Sequence, residues 1–231
     1  DTIYGGGGND SLSGSTYWNS GSSDSDRQSA AQMPGANDNM YGQAGDDLLI
    51  GTAGDNTLDG GTGTDTIYSG GGSDVIVLRV GDGGSTLAAA DTIADFTDGS
   101  DVLGLDDGLQ YSQLTIAQGT GSNSSDTIIS AGSEYLAILT GTTASNVNYF
   151  DFASMATGNQ TLSGISGDDI LIGAVGVDTI TTNTGTDIVL ASSGDDVITV
   201  DGVGNKTIDG GSGTDSLTIS VSGNTSLGSY T

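Results

Sequence analysis

An aliphatic residue recurs at a nine-residue spacing in two stretches of the chain, and this period constrains the fold more than any other feature. In the first array the recurring positions are Ile3, Leu12, Met40, Leu49, Leu58, Ile67 and Ile76. In the second array they are Leu162, Leu171, Ile180, Val189, Ile198, Ile208 and Leu217, with a slip of one residue before Ile208. Seven copies in each array indicate tandem structural repeats.

Each repeat consists of a glycine-rich turn followed by a strand of about three residues. One aliphatic side chain on so short a strand cannot bury itself, so the repeats must stack and share a core. Alternate strands then form the two faces of a flattened coil. Residues eighteen apart lie above one another at the strand spacing of about 4.8 Å. The sequence therefore predicts an all-β solenoid.

A carboxylate, or a residue in its place, stands two positions before each aliphatic residue. The candidate metal ligands at this position in the first array are Asp10, Asp38, Asp47, Asn56, Asp65 and Asp74. Those in the second array are Asp169, Asp178, Asp187, Asp196 and Asp215. Gln160 and Lys206 occupy the two positions that depart from the pattern. If the aspartates only cap turns, as Asp often does, no metal is needed; the regular period favours metal binding.

Composition points to a hard cation as the partner. Acidic residues outnumber basic ones 30 to 3, the net charge is −27, and the chain has no Cys and no His. This charge repels nucleic acid and anionic membranes, so neither a nucleic-acid partner nor membrane insertion is expected. Without thiolate or imidazole, the ligands are oxygen atoms, which select ions such as Ca²⁺.

The repeat resembles the RTX (repeats-in-toxin) family, whose nonapeptide G-G-x-G-x-D-x-U-x forms a calcium-binding parallel β-roll. The clearest matches are GGTGTDTIY at residues 60–68 and GGSGTDSLT at residues 210–218. The resemblance implies a parallel β-roll in each array and several Ca²⁺ ions between stacked turns. It also implies that turn glycines help to form these sites, namely Gly60, Gly61, Gly63, Gly210, Gly211 and Gly213.

Stacking at eighteen residues predicts which ligands share an ion. The carboxylate pairs are Asp47 with Asp65, Asp169 with Asp187, and Asp178 with Asp196. Sites that include the neutral Asn56 should be weaker. The pair Asp196 and Asp215 is nineteen apart and stays open. Lys206 replaces an aspartate and should abolish the site that it would share with Asp187.

The segment at residues 78–156 leaves the period but keeps short β-prone runs between turns. The stretch DTIADFTDGSD at residues 91–101 resembles the segment that follows the rolls in serralysin-type proteases and alginate epimerase R-modules, which implies a β-rich cap or continuation. Its expected core residues are Leu103, Leu105, Leu114, Ile116, Ile128, Leu136, Ile138 and Phe152. Asp91, Asp95 and Asp101 are either ligands of one more ion or ordinary turn and strand-end carboxylates.

These features suggest four segments. Residues 1–77 form the first roll, residues 78–156 the β-rich segment, residues 157–221 the second roll, and residues 222–231 the start of a following segment or linker. Residues 15–33 interrupt the first roll and contain Trp18, which either contacts a sugar or protein or lies on a tolerated surface loop. Because the chain starts within the pattern and lacks a signal peptide, we expect it to be part of a longer protein.

No catalytic constellation is evident, and the chain is predicted not to be an enzyme. Three acidic doublets occur at one repeat position, which indicates structure rather than a glycosidase carboxylate pair. The first functional hypothesis is a calcium-binding structural or adhesive module of a large extracellular or bacterial cell-surface RTX protein, folded by Ca²⁺ after type I secretion. The alternative is an accessory secretion, folding or polysaccharide-binding module of a secreted enzyme. A cell-surface glycan and neighbouring surface-protein modules are the other candidate partners.

Overall fold

The structure is a computed structural model that describes residues 2–13 and 37–220, together with the backbone of the strand at residues 225–230. The chain divides into two units. Unit 1 contains Asp1–Gly104 and Leu114–Phe152, and unit 2 contains Leu105–Gln113 and Ala153–Thr231. Trp18 and the predicted insertion around it lie outside the described residues. The four segment boundaries drawn from the sequence stay a prediction.

The described residues contain strands and short 3₁₀ helices but no α-helix. The strands of unit 1 are β1 (Thr2–Gly7), β2 (Ser11–Ser13), β3 (Asn39–Ala44), β4 (Leu48–Ile50), β5 (Thr57–Thr62), β6 (Thr66–Tyr68), β7 (Val75–Leu78), β8 (Asp91–Ile93), β10 (Leu114–Gln118), β11 (Thr127–Ala131) and β12 (Glu134–Leu139). The strands β9 (Val102–Leu105) and β13 (Phe152–Ser154) cross the division between the units. The 3₁₀ helices are Leu87–Ala89, Tyr111–Gln113, Gly121–Asn123 and Tyr149–Asp151. None of the described helices is long and apolar enough to cross a membrane.

Successive strands of the first array alternate between two sheets, as a coil requires. One sheet has the order β1-β3-β5-β7-β9, and the other has β10-β11-β12-β8-β6-β4-β2. Strands of the array pair in parallel, and Met40 lies opposite Leu58, which lies opposite Ile76. Each of these steps is eighteen residues. The predicted all-β fold with a parallel β-roll is confirmed.

The core of the roll is a stack of the periodic aliphatic residues. Leu49, Leu58 and Ile76 are fully buried, and Ile67 is 1% exposed. Their neighbours on the three-residue strands are more exposed, because successive side chains on a strand point to opposite faces. The period therefore selects one residue per strand for the core.

The segment after the first array continues the roll and then changes direction. Strand β8 pairs in parallel with β6, so Ile93 stacks on Ile67. Strands β10, β11 and β12 form an antiparallel meander that joins this sheet through β12 and β8. The predicted core residues Leu103, Leu105, Ile128, Leu136 and Phe152 are buried.

Three predicted core residues of this segment are only partly buried. Leu114 and Ile116 lie on β10, which is the last strand of its sheet and has a neighbour on one side only. Ile138 lies between the buried Ala137 and Leu139, so it points to the opposite face of β12. The prediction was wrong for these three because hydrophobicity alone reveals neither which strand is at an edge nor which face of a strand is covered.

The second array forms two four-stranded sheets in unit 2. Its strands are β14 (Thr161–Ser163), β15 (Ile170–Ile172), β16 (Thr179–Thr181), β17 (Asp187–Leu190), β18 (Val197–Asp201), β19 (Gly204–Asp209), β20 (Ser216–Ser220) and β21 (Thr225–Tyr230). The sheet orders are β14-β16-β18-β20 and β15-β17-β19-β21, with parallel pairing throughout. Ile180, Val189 and Ile198 are fully buried in its core. The slip of one residue changes no partner in the core stack, because Ile198 still lies opposite Leu217.

Candidate metal sites

The turn aspartates of the first array stack in two columns held by the backbone. We name the Asp65 column (Asp10, Asp47, Asp65) and the Asp74 column (Asp38, Asn56, Asp74). The amide of Asp10 donates to Asp47 Oδ1 at 2.6 Å, and the amide of Asp47 donates to Asp65 Oδ1 at 2.7 Å. The amide of Asp38 donates to Asn56 Oδ1 at 2.9 Å, and the amide of Asn56 donates to Asp74 Oδ1 at 2.8 Å. Each turn is thereby joined to the turn one coil later.

The second array repeats this arrangement. We name the Asp196 column (Gln160, Asp178, Asp196, Asp215) and the Asp187 column (Asp169, Asp187, Lys206). The amides of Gln160, Asp178 and Asp196 each donate to Oδ1 of the next aspartate, at 2.7, 2.7 and 3.0 Å. The amide of Asp169 donates to Asp187 Oδ1 at 3.0 Å. All three predicted carboxylate pairs, and the open pair of Asp196 with Asp215, are brought together.

The contacts of the second carboxylate oxygen distinguish two groups among these aspartates. Oδ2 of Asp47, Asp65, Asp74 and Asp196 is buried and accepts no hydrogen bond. Oδ2 of Asp169 accepts from the Ile165 amide at 2.8 Å, and Oδ2 of Asp178 accepts from the Ala174 amide at 2.7 Å. A buried carboxylate oxygen with no donor is costly unless a cation balances it. The first group therefore has the chemistry of an incomplete cation site.

The pKa values of these carboxyl groups also indicate that their buried negative charge is not balanced. Burial raises the pKa of Asp65 and of Asp74 to about 6, and neighbouring carboxylates act in the same direction. Burial also raises the pKa of Asp47 and of Asp196. A folded-state pKa above the unfolded value of 3.8 gives stability that is complete at low pH and is lost as pH rises through about 6. At neutral pH these carboxylates need a cation in place of the proton.

One turn shows how backbone carbonyls can surround a cation. In the turn at residues 182–187, the carbonyls of Asn183 and Gly185 and Oδ2 of Asp187 all contact Lys206 Nζ, at 2.6, 2.8 and 2.6 Å. The second, fourth and sixth positions of the turn thus converge on one point. The described residues contain no cluster of three or more His, Cys, Asp or Glu side chains suited to a metal. A metal at these turns would therefore rest on two stacked carboxylates and several carbonyls, which suits the six to eight oxygens that Ca²⁺ takes.

A family model for the RTX calcium-binding nonapeptide repeat, in four copies, matches residues 1–16, 41–76 and 157–199. These segments contain most of the stacked turns described above, but not those of Asp38, Lys206 and Asp215. The chain contains RTX calcium-binding nonapeptide repeats. Its repeats bind several Ca²⁺ ions, and the all-oxygen donor set of the stacked turns fits that ion. No curated protein matches the chain.

Gly60 and Gly210 stand at the first position of their turns and leave room for the carboxylate of the same turn. A Cβ at Gly60 would overlap Oδ2 of Asp65, and one at Gly210 would overlap Oδ2 of Asp215. Glycine is favoured at the second and fourth positions of these two turns for a different reason. Gly61 and Gly63 have φ values of 88° and 145°, in the region that side chains disfavour. Gly211 and Gly213 adopt the same conformation in the second array.

The substitution Gly60→Ala should weaken calcium binding at the Asp65 column and destabilise the calcium-bound chain by about 1–3 kcal/mol, because the methyl group displaces the Asp65 carboxylate. Gly71→Ala is the matched control, since a Cβ there meets nothing within 4 Å. Thermal unfolding in saturating calcium measures both variants. Equal melting temperatures for Gly60→Ala and Gly71→Ala would contradict this role of Gly60.

Asn56 offers its own turn a nitrogen instead of an oxygen. Its Nδ2 donates to the Gly54 carbonyl at 2.9 Å, to the Gly51 carbonyl at 3.2 Å and to Asp74 Oδ1 at 3.1 Å. Gln160 behaves similarly, since its Nε2 donates to the Gly158 carbonyl at 3.0 Å. An amide group thus binds turn carbonyls that a cation would otherwise contact. The expectation that Asn56 is a weak calcium ligand stays a prediction.

Two residues of the segment after the first array extend its columns. The Asp65 amide donates to Asp91 Oδ1 at 2.8 Å, and the Asp74 amide donates to Asp101 Oδ1 at 3.2 Å. Burial raises the pKa of Asp91 to about 8. By contrast, Asp95 accepts from the amides of Ser69 and Gly70 and closes a turn. Asp91 and Asp101 each precede an aliphatic residue by two positions, as the repeat requires, but their distance of 26 or 27 residues from the partner breaks the period.

The acidic doublets have separate roles at their two positions. Asp47 lies in the buried column, whereas the preceding Asp46 is exposed and accepts from the Thr64 amide at 3.0 Å. Asp168 and Asp195 make the same contact with the amides of Thr186 and Thr214, at 2.8 Å in both cases. An outer ladder of turn-to-turn hydrogen bonds thus runs beside the buried columns. This arrangement gives the doublets a structural role.

Proposed function

We propose that this RTX chain is a non-catalytic structural or adhesive module of a larger extracellular or bacterial cell-surface protein, and that calcium drives its folding after type I secretion. The observation that carries the proposal is the set of buried Oδ2 atoms without a donor on Asp47, Asp65, Asp74 and Asp196. A fold that buries unbalanced carboxylates on stacked turns is stable only where the ion is abundant.

The calcium ions are proposed to lie between turns that follow one another in a column. The ligands are the paired aspartates Asp47 with Asp65, Asp65 with Asp91, Asp74 with Asp101, and Asp196 with Asp215, together with turn carbonyls. Each pair is supported by a hydrogen bond from one backbone amide to the carboxylate of its partner. Oδ2 of the first aspartate in each pair accepts no hydrogen bond and is proposed to bind the ion.

Folding that follows secretion requires weak calcium sites. Extracellular calcium-binding modules have dissociation constants of about 10⁻⁴–10⁻³ M, so their folding responds to calcium outside the cell and not to lower cytosolic levels. We expect refolding from urea to be half-complete at calcium concentrations in that range, measured by far-ultraviolet circular dichroism. Complete refolding at micromolar calcium would contradict folding after secretion but not calcium binding itself.

An adhesive role is supported by a stacked tyrosine pair with one exposed member. Tyr4 and Tyr41 stack with ring centroids 5.1 Å apart and an interplanar angle of 15°, and Tyr4 is 63% exposed. Flat aromatic faces of this kind can pack against sugar rings, so a cell-surface glycan is a proposed partner. A glycan array in saturating calcium separates an adhesive from a purely structural role. The same array bears on a polysaccharide-binding role as an accessory module of a secreted enzyme.

A further inference from the structure

We use the term rung for two turns that follow one another in a column. In the rung formed by the turns at residues 182–187 and 201–206, a side chain of the protein supplies the cation. Lys206 is fully buried, as is Asp187, and its Nζ lies 2.6 Å from Asp187 Oδ2. The ammonium also donates to the carbonyls of Asn183 and Gly185, at 2.6 and 2.8 Å. These three oxygens come from the second, fourth and sixth positions of one turn. The sixth position is the one that Asp65 and Asp196 hold in turns that are proposed to bind calcium.

Other residues of this rung also differ from the nonapeptide G-G-x-G-x-D-x-U-x. Thr182 replaces the first glycine of the turn at residues 182–187, and Asp201 stands at the corresponding position of the turn at residues 201–206. The Thr182 hydroxyl donates to the Asp201 carbonyl at 3.3 Å and accepts from the Asp201 amide at 3.2 Å. Asn183 replaces the second glycine. The two turns are therefore joined by hydrogen bonds and an ion pair made by the chain itself.

We infer that the Lys206 ammonium is a resident substitute for calcium, which makes this one rung of the second array independent of the ion. The positive charge balances Asp187, and the three donors of an ammonium satisfy the three converging oxygens. Asn56 and Gln160 supply donors to turn carbonyls but no charge, so they do not replace the ion in this sense. The inference rests on the proposed function, because it specifies a position where calcium does not bind.

The first test counts ions. Lys206→Asp restores a pair of stacked carboxylates, and we expect native mass spectrometry to find one more bound Ca²⁺ per chain than in the unsubstituted protein. Lys206→Met is the matched control, which removes the ammonium without adding a ligand and should gain no ion. An unchanged count in folded Lys206→Asp would overturn the inference. A gain of one ion in Lys206→Met would overturn it as well, because the ammonium would then only be blocking an otherwise complete site.

The second test follows single amides by hydrogen exchange during calcium titration. The Gly185 amide donates to the Val203 carbonyl across the Lys206 rung, at 3.0 Å. The Gly45 amide donates to the Thr62 carbonyl at 2.9 Å, between the turns of Asp47 and Asp65, which are proposed to bind calcium. We expect Gly185 to become protected at a calcium concentration at least about tenfold lower than Gly45. In Lys206→Asp the midpoint for Gly185 should rise by a similar factor, and an unchanged midpoint would count against the inference.

These measurements separate the two hypotheses. If the unsubstituted chain binds no calcium, the proposed function fails, while the comparison of Gly185 protection between the unsubstituted chain and Lys206→Met still reports on the ion pair. Equal protection in these two proteins would overturn the inference. If the unsubstituted chain binds calcium and Lys206→Asp gains no ion, the inference fails and the proposed function stands.

Discussion

Removal of calcium with a chelator should abolish most of the β-sheet circular dichroism of this chain. Two like charges about 5 Å apart repel by roughly 3 kcal/mol at an effective dielectric constant of 20. Such repulsion recurs along each column, whereas a whole domain is stable by only about 5–15 kcal/mol. Far-ultraviolet spectra with and without chelator measure the effect. Re-addition of Ca²⁺ should restore the spectrum, and re-addition of Na⁺ at equal ionic strength is the control.

Removal of calcium should cause a larger loss of β-sheet structure in unit 1 than in unit 2. In the described part of unit 1, Asp47, Asp65 and Asp74 each have a buried carboxylate oxygen without a donor. In unit 2 the corresponding atoms of Asp169 and Asp178 are already satisfied by backbone amides, and Lys206 neutralises Asp187. A β-sheet signal that survives chelation unchanged would refute calcium-dependent folding.

The substitution Asp65→Asn should have opposite effects on stability with and without calcium. Asp65 is 1% exposed, its Oδ1 accepts from the Asp47 amide, and its Oδ2 has no donor. The amide nitrogen of Asn would take the place of Oδ2 and donate to carbonyls of its own turn, as Asn56 does. We expect at least about tenfold weaker calcium binding, equivalent to roughly 1.4 kcal/mol, and a lower melting temperature in calcium. In chelator the variant should be more stable than the unsubstituted chain, because one buried charge is gone.

Asp46→Asn provides the matched control for this experiment. Asp46 is an aspartate of the same turn, and the substitution removes the same charge with the same change of shape. Its side chain is exposed and contacts the Thr64 amide, a contact that an Asn oxygen preserves. Calorimetric calcium titration and thermal unfolding should distinguish the two variants clearly. If Asp46→Asn and Asp65→Asn lower calcium affinity equally, the buried columns are not the calcium sites.

The sequence predicted the architecture well because a strict period leaves little freedom. A strand of three residues with one aliphatic side chain can be buried only by identical neighbours, and the nine-residue spacing fixes a stacking distance of eighteen. The observed registers of Met40 with Leu58 and of Leu49 with Ile67 follow directly. The same spacing brought Asp47 to Asp65 and Asp178 to Asp196.

The sequence was less informative where the period breaks. Asp91 and Asp101 follow 26 and 27 residues after the partners that contact them, so a search at eighteen residues does not find them. Their local pattern, an aspartate two positions before an aliphatic residue, was the available signal. The resemblance of this segment to serralysin-type proteases and alginate epimerase modules stays a prediction.

Sequence alone determined the coil, the core stack and the columns of aspartates, because the period sets which residues stack on one another. Only the tertiary structure decided what each carboxylate oxygen contacts. Oδ2 of Asp178 is satisfied by its own turn, Oδ2 of Asp196 is left without a donor, and Oδ2 of Asp187 binds the Lys206 ammonium. All three aspartates have the same place in the repeat. The contact of Asp187 depends on Lys206 one coil later, and those of Asp178 and Asp196 depend on the backbone of their own turns, where Ser192 has a φ of 81° and Ala174 donates its amide. A nine-residue period specifies none of these.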